Sequence, residues 1–134
     1  MINIGKIIID KKKPPLIIPE MGINHSGSFS KAIEIIRSAK RAGARLIKNQ
    51  THLIDDEYSI EAKKLVPKNA NKNIYDLIKS CSFSIEEEYK LKNFTEKLGM
   101  EYISTPFSRA AVDRLVKLKV NLFKIGSGEF NNTP

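Results

Sequence analysis

The chain has 134 residues, of which 41% are hydrophobic and 28% charged, and it carries a net charge of +8. That size fits one ordinary domain, and the composition reads as globular and excludes a disordered chain. Net positive charge raises nucleic acid, acidic membranes and anionic metabolites as partners. The cations, however, are scattered over helix faces among glutamates, and the absence of tryptophan leaves no aromatic stacking platform for a nucleic acid.

In chain order, Ile7 to Ile9 can form a small leading strand, with Lys11-Lys12-Lys13 and Pro14-Pro15 as a solvated turn. This apolar run is too short for a signal peptide or a membrane span. Residues 1–15 thus read as an N-terminal extension before the domain proper, 16–134. Leu16-Ile17-Ile18-Pro19 has the continuous apolar character of a strand buried on both faces. Phe29, Ala32, Ile33, Ile36 and Ala39 then recur at helical spacing, with Gly43 as a C-cap. Arg45 to Gln50 reads as a second strand. A long polar connection runs from Thr51 to about Asn73, and a connection of that length in a compact domain is usually functional. Asn73 to Ser80 reads as a short helix. Ser84 with Glu87 makes a capping box that opens a helix through Leu91, Phe94 and Leu98. Tyr102 to Ser104 is a third strand, Ser108 caps a helix from Arg109 to about Lys119, and Leu122 to Ile125 is a fourth strand. Cys81, the lone cysteine, lies among apolar helix residues and reads as a packed thiol. It gives no sign of an oxidising compartment, so cytoplasmic is the default.

Strands alternating with helices imply a parallel α/β sheet. The glycine-rich dinucleotide fingerprint is missing after the first strand, where Glu20 to His25 stand instead, and this disfavours a Rossmann domain. Ligands in parallel α/β folds bind beyond the carboxyl ends of the strands. There the sequence places Glu20, then Lys48 and Gln50, then Ser104 and Thr105, then Lys124, Ser127 and Glu129. Lys48 and Gln50 are two apart and share one strand face. Two strand-borne lysines followed by Gly126-Ser127-Gly128, whose backbone N–H groups can approach an anion, suggest a phosphate- or carboxylate-bearing substrate. The competing reading is that Lys48 and Lys124 simply pair with Glu20 and Glu129. His25 and His52 sit in no spaced metal motif, so neither is expected to ligate a metal.

These residues also form recognisable signatures. Pro19-Glu20-Met21-Gly22-Ile23-Asn24-His25-Ser26-Gly27 resembles the opening motif of the sialic-acid synthase family. Lys48-Asn49-Gln50-Thr51-His52, Ser104-Thr105-Pro106-Phe107-Ser108 and Phe123-Lys124-Ile125-Gly126-Ser127-Gly128-Glu129 resemble three more of its signatures, in the same order and spacing. The resemblance runs from about Leu16 to Pro134 and looks most like the N-acetylneuraminate synthase branch, with the legionaminate and pseudaminate branches as near relatives.

The resemblance implies a transferase of sialic acid biosynthesis on a TIM (β/α)8 barrel, of which this chain holds about the first four strands. It would condense phosphoenolpyruvate with N-acetylmannosamine to give N-acetylneuraminate and phosphate, aided by Mn²⁺ or Mg²⁺ whose ligands lie outside this chain. By motif position, Lys48, Thr105, Lys124 and Ser127 would hold phosphoenolpyruvate. Glu20, Gln50 and Glu129 would face the sugar and the reacting water as catalytic candidates, and Asn69 would contact the sugar. The intact enzyme is expected to be a homodimer, and a chain of this length to be a fragment, inactive alone. A non-catalytic truncated barrel that binds anions or self-associates is the alternative. Asn49 and Phe130 depart from the branch pattern; Asn49 should point away from Lys48 and Gln50, and Phe130 could alter packing at the last strand.

Overall fold

The computed structural model describes residues 1–66, 71 and 73–131. It contains a short antiparallel hairpin, β1 (Ile2–Ile4) and β2 (Ile7–Ile9), and a parallel pair, β3 (Leu46–Thr51) and β4 (Glu101–Pro106). The helices are α1 (Phe29–Arg41), α2 (Ile54–Glu57), α3 (Ile74–Cys81), α4 (Ile85–Lys97) and α5 (Arg109–Lys117), with a 3-10 turn at Ala62–Lys64.

Local chemistry sets most of these boundaries. Ser28, Asn73, Ser84 and Ser108 each accept a hydrogen bond from a backbone N–H in the first turn of the helix they precede. At α4 the capping box is complete, with Glu87 returning a carboxylate to the Ser84 N–H at 2.9 Å. Gly43 and Gly99 take left-handed φ angles of +87° and +72° just past α1 and α4. The long polar connection is partly structured, since it holds α2 and the 3-10 turn.

The four expected strands require a correction. Of the four expected strands, only β3 and β4 form a continuous ladder among the described residues. The first segment joins β3 through a single bridge at Glu20 and Lys48, with Met21 N donating to Lys48 O at 2.8 Å and Lys48 N to Pro19 O at 2.9 Å. The last segment joins β4 through one bridge between Ser104 and Phe123, with Lys124 N donating to Ser104 O at 3.0 Å. Pro19 has no N–H to donate, which shortens the first ladder. Ile17 and Ile18 are 69% and 45% exposed, so this run is not buried on both faces as expected. The spatial order nevertheless follows the chain: first segment, β3, β4, last segment.

Two cores lie on opposite faces of this sheet. Met21, Ile47 and Tyr102 pack with Ala32 and Ile36 of α1, Leu91 of α4 and Leu115 of α5. On the other face a smaller cluster joins Leu46, Ile103 and Leu122 to Ile7 and Ile4 of the hairpin. The hairpin therefore covers the amino end of that face and leaves the carboxyl end to polar groups.

Gly27 marks a tight contact in the loop before α1. Its φ is +77°, and a Cβ there would run into the backbone carbonyl of Ser80. Gly43 has a similar φ, but a Cβ there would meet nothing within 4 Å. Thermal unfolding should show Gly27→Ala costing at least about 2 kcal/mol and Gly43→Ala about 1 kcal/mol, the difference being the collision with Ser80. Equal costs would mean that the loop shifts freely.

Candidate functional site

The parallel register places Gln50 opposite Thr105 and Lys48 opposite Ile103, so Lys48, Gln50 and Thr105 share one face. Glu20 pairs with Lys48 and joins that face from the neighbouring segment. Phe123 is in register with Ser104, which puts Lys124 on the face of Thr105. Glu20, Lys48, Gln50, Thr105 and Lys124 thus share one face, as expected, whereas Ser104 falls on the opposite face beside Thr51, because strand alternation separates it from Thr105.

Lys48 is the most enclosed charge of this group. Its side chain is 9% exposed, and its Nζ lies 2.5 Å from Glu20 Oε1, while the Glu20 side chain is 61% exposed. This ion pair is the Lys48 half of the competing reading. Gln50 is half-buried and lies across Gly22, where a Cβ would stand 4.0 Å from the Gln50 Cδ. Thr105 is buried. Gly126 sits beside it: a Cβ there would meet Thr105 Cγ2 at 3.8 Å, Phe107 Cε1 at 3.7 Å and Glu129 Cγ at 3.4 Å. Glu129 N donates to Gly126 O at 3.0 Å, which closes the turn that carries Ser127. Ser127 is exposed and Lys124 half-buried. An open cleft of about 570 Å³ lies beyond the end of β4, lined in part by Glu57, Phe107, Arg109, Gly126 and Glu129. Asn69 lies outside the described residues.

The histidines have separate surroundings. His25 is buried and stacks on Phe83 with centroids 4.3 Å apart. Burial is the main influence on its ring and lowers its pKa, favouring the neutral form. His52 stacks on Phe107 at 4.4 Å and bonds to Glu57. Among the described residues, no group of three His, Cys, Asp or Glu side chains could hold a metal ion.

A second polar cluster lies behind the sheet, on the helix side, and the sequence reading missed it. Glu88 of α4 is 2% exposed. Its Oε1 accepts from Thr51 Oγ1 at 2.5 Å, Tyr102 OH at 3.2 Å and Asn49 Nδ2 at 3.3 Å, while Arg114 of α5 stands 3.7 Å from its Oε2. Thr51 also shares a hydrogen bond with Ser104 at 2.7 Å. Burial raises the Glu88 pKa against the opposing pull of these donors, and burial next to Glu88 raises that of Tyr102 well above the usual phenol range. Asn49 points to this side, away from Lys48 and Gln50, as expected. Helix phase was the available signal: Glu88 lies three residues before Leu91, on the face already read as apolar.

A parallel β/α unit with lysine, amide, hydroxyl and carboxylate side chains gathered at its strand ends defines an α/β protein. The comparisons give that class a family. Residues 35–134 match the NeuB family, and the chain belongs to it. An uncharacterised protein of Methanocaldococcus jannaschii is 38% identical over 133 residues, covering 99% of this chain and 36% of that protein. The N,N'-diacetyllegionaminic acid synthase of Legionella pneumophila is 35% identical over 122 residues, covering 88% and 34%. The crystal structure of the N-acetylneuraminic acid (sialic acid) synthetase of Leptospira borgpetersenii serovar Hardjo-bovis, in complex with citrate, superposes with a TM-score of 0.83 at 29% identity, covering 98% of this chain and 42% of that one. The chain thus spans about a third of the length of these two curated relatives.

Proposed function

We propose that this chain forms the phosphoenolpyruvate side of a sialic-acid-type synthase built on a TIM (β/α)8 barrel, of which it supplies about the first four strand positions. The observation that carries this reading is the Lys48 ammonium, almost closed to water in the middle of parallel strand β3 and sharing its face with Thr105 and Lys124. An enclosed ammonium is costly unless an anion meets it, and Glu20, being largely exposed, can give way to a substrate anion.

In the proposed reaction, C3 of phosphoenolpyruvate attacks the aldehyde carbon of an open-chain 2-acetamido sugar. Water adds at C2, and the tetrahedral intermediate loses phosphate by C–O cleavage. Lys48 and Lys124 hold the phosphate and carboxylate, with hydrogen bonds from Thr105 and Ser127; such fixed cationic donors stabilise charge on the transferring group without reorganisation. Glu20, Gln50 and Glu129 face the sugar and the attacking water, and Asn69 contacts the sugar. The sugar we propose is N-acetylmannosamine, and the Leptospira relative named for N-acetylneuraminic acid favours it. The Legionella relative keeps legionaminate as an alternative, and the motifs keep pseudaminate beside it. Mn²⁺ or Mg²⁺ is retained from the resemblance, with ligands outside this chain, and no step above runs through it. The setting we propose is a cytoplasmic homodimer with no nucleic-acid or membrane partner; among the described residues no helix is long and apolar enough to cross a membrane.

A thermal-shift titration with phosphoenolpyruvate tests the binding half of this reading. Ligand at a hundred times its Kd should stabilise the chain by about 2.7 kcal/mol. Absence of any shift up to millimolar ligand would sink it. Phosphate release on adding N-acetylmannosamine and Mn²⁺ tests the chemistry once the remaining barrel strands are supplied, and binding without release even then would favour the non-catalytic anion-binding alternative.

A further inference from the structure

The proposed reaction leaves two buried polar side chains unused, His52 and Glu57, which are 7% and 5% exposed. They are bonded to each other and aimed at Gln50. His52 Nδ1 lies 2.9 Å from Glu57 Oε2 and 3.1 Å from Oε1, and His52 Nε2 lies 3.3 Å from Gln50 Oε1. Glu57 Oε1 also accepts from Leu53 N at 2.9 Å, which anchors the carboxylate to the backbone that leaves β3. The imidazole face is held by Phe107, stacked at 4.4 Å with 12° between the planes.

A carboxylate only accepts, so Nδ1 must carry the proton of the His52–Glu57 bond. The ring then cannot flip without losing that bond, and stacking blocks tilting. Its other nitrogen is fixed on the Gln50 amide. The terminal torsion of glutamine is otherwise broad and roughly two-fold, so an unrestrained amide presents its oxygen and its NH2 almost interchangeably. We infer that Glu57 and His52 are positioning residues that fix the sense of the Gln50 amide at the mouth of the site. The Nε2···Oε1 contact is a hydrogen bond only when Nε2 carries a proton as well, because a carbonyl oxygen only accepts. With the doubly protonated ring paired to Glu57, the carbonyl oxygen turns to His52 and the NH2 group faces the mouth to donate to ligand oxygens, whereas the singly protonated ring would take the NH2 and leave the oxygen to the mouth. The sense of one amide decides whether a hydroxyl or carbonyl is accepted there, because the wrong sense leaves a polar group unpaired on closure. This consequence rests on the proposed role of Gln50 toward the sugar; the relay itself does not.

NMR of the chain without ligand tests the relay separately from the substrate assignment. In the wild type, a slowly exchanging proton should be seen on His52 Nδ1, and the Gln50 side-chain NH2 should give two sharp, well-separated signals. Glu57→Gln removes the carboxylate with little change of shape, and His52→Phe keeps an aromatic ring against Phe107. Each should move the Gln50 amide signals toward those of free glutamine, His52→Phe more than Glu57→Gln because it removes both bonds of the relay, while the backbone spectrum away from the site stays as it was. A purely structural role would leave the Gln50 amide no more affected than other side-chain amides. The inference is overturned if the Gln50 signals are unchanged in a folded His52→Phe chain, or if the wild-type Nδ1 proton exchanges freely.

Discussion

Lys48→Met should lower phosphoenolpyruvate affinity by about 10- to 150-fold while leaving the chain folded. A hydrogen bond to a charged group contributes about 1.5–3 kcal/mol, which sets that range. Methionine refills the stem volume of a side chain that is 9% exposed, and the orphaned Glu20 carboxylate keeps its water because it is 61% exposed. The reverse change behaves differently. Glu20→Gln leaves the enclosed ammonium without its carboxylate and should destabilise the chain by about 1–3 kcal/mol. It also removes a competitor for the anion, so phosphoenolpyruvate binding should hold or tighten. If Lys48 served only to pair with Glu20, neither substitution would change affinity. Calorimetric titration of both variants beside thermal melts separates these outcomes.

The largest effect on stability should come from Glu88. Glu88→Ala strands the hydroxyls of Thr51 and Tyr102, the Asn49 amide and the Arg114 guanidinium around a cavity. Breaking a buried charged network in this way costs about 3–5 kcal/mol, a large part of the roughly 5–15 kcal/mol that holds an ordinary domain together. Glu88→Gln keeps the shape and an acceptor oxygen and should cost less than about 2 kcal/mol near neutral pH. The two carboxyl states also predict a pH dependence. Because burial raises the Glu88 pKa, the folded chain holds this proton more tightly than the unfolded chain does. The stability it contributes is complete below the ordinary glutamate value of 4.5 and is lost as pH rises through the higher folded value. Relative to Glu88→Gln, the wild type should therefore lose stability as pH rises above 4.5. Denaturant melts across that range measure it, and a gap that grows in favour of the wild type would show that the donors outweigh burial.

The sequence made the site more legible than the sheet. Same-face placement of Lys48 and Gln50 follows from strand alternation alone, and the register with Thr105 bears it out. Helix ends were equally readable, because Ser84 and Ser108 cap through local contacts that need no tertiary information. The outer strand segments were not. An apolar run such as Leu16 to Ile18 has the composition of a buried strand, but a ladder also needs a partner and an N–H at each step, and Pro19 supplies none. The Glu88 network and the Glu57–His52 relay stayed hidden for another reason. A glutamate in the first turn of a helix reads as a charge that complements the helix dipole. Its phase with Leu91 hints at an inward side chain, but the partners Asn49, Thr51 and Tyr102 come only from the packing of α4 against β3 and β4. Likewise, α2 brings Glu57 to His52 within a stretch that reads as polar connection.

The central claim is that phosphoenolpyruvate binds at the carboxyl end of this parallel sheet, between Lys48 and Lys124. Backbone amide NMR of the labelled chain, titrated with phosphoenolpyruvate, tests it most directly. Saturable shifts should gather at Lys48 to Gln50, Thr105 and Lys124 to Gly128, and Lys48→Met should abolish them at the same ligand concentrations. Shifts confined to exposed cations such as Lys11 to Lys13, or shifts at the mouth that persist unchanged in Lys48→Met, would contradict the account.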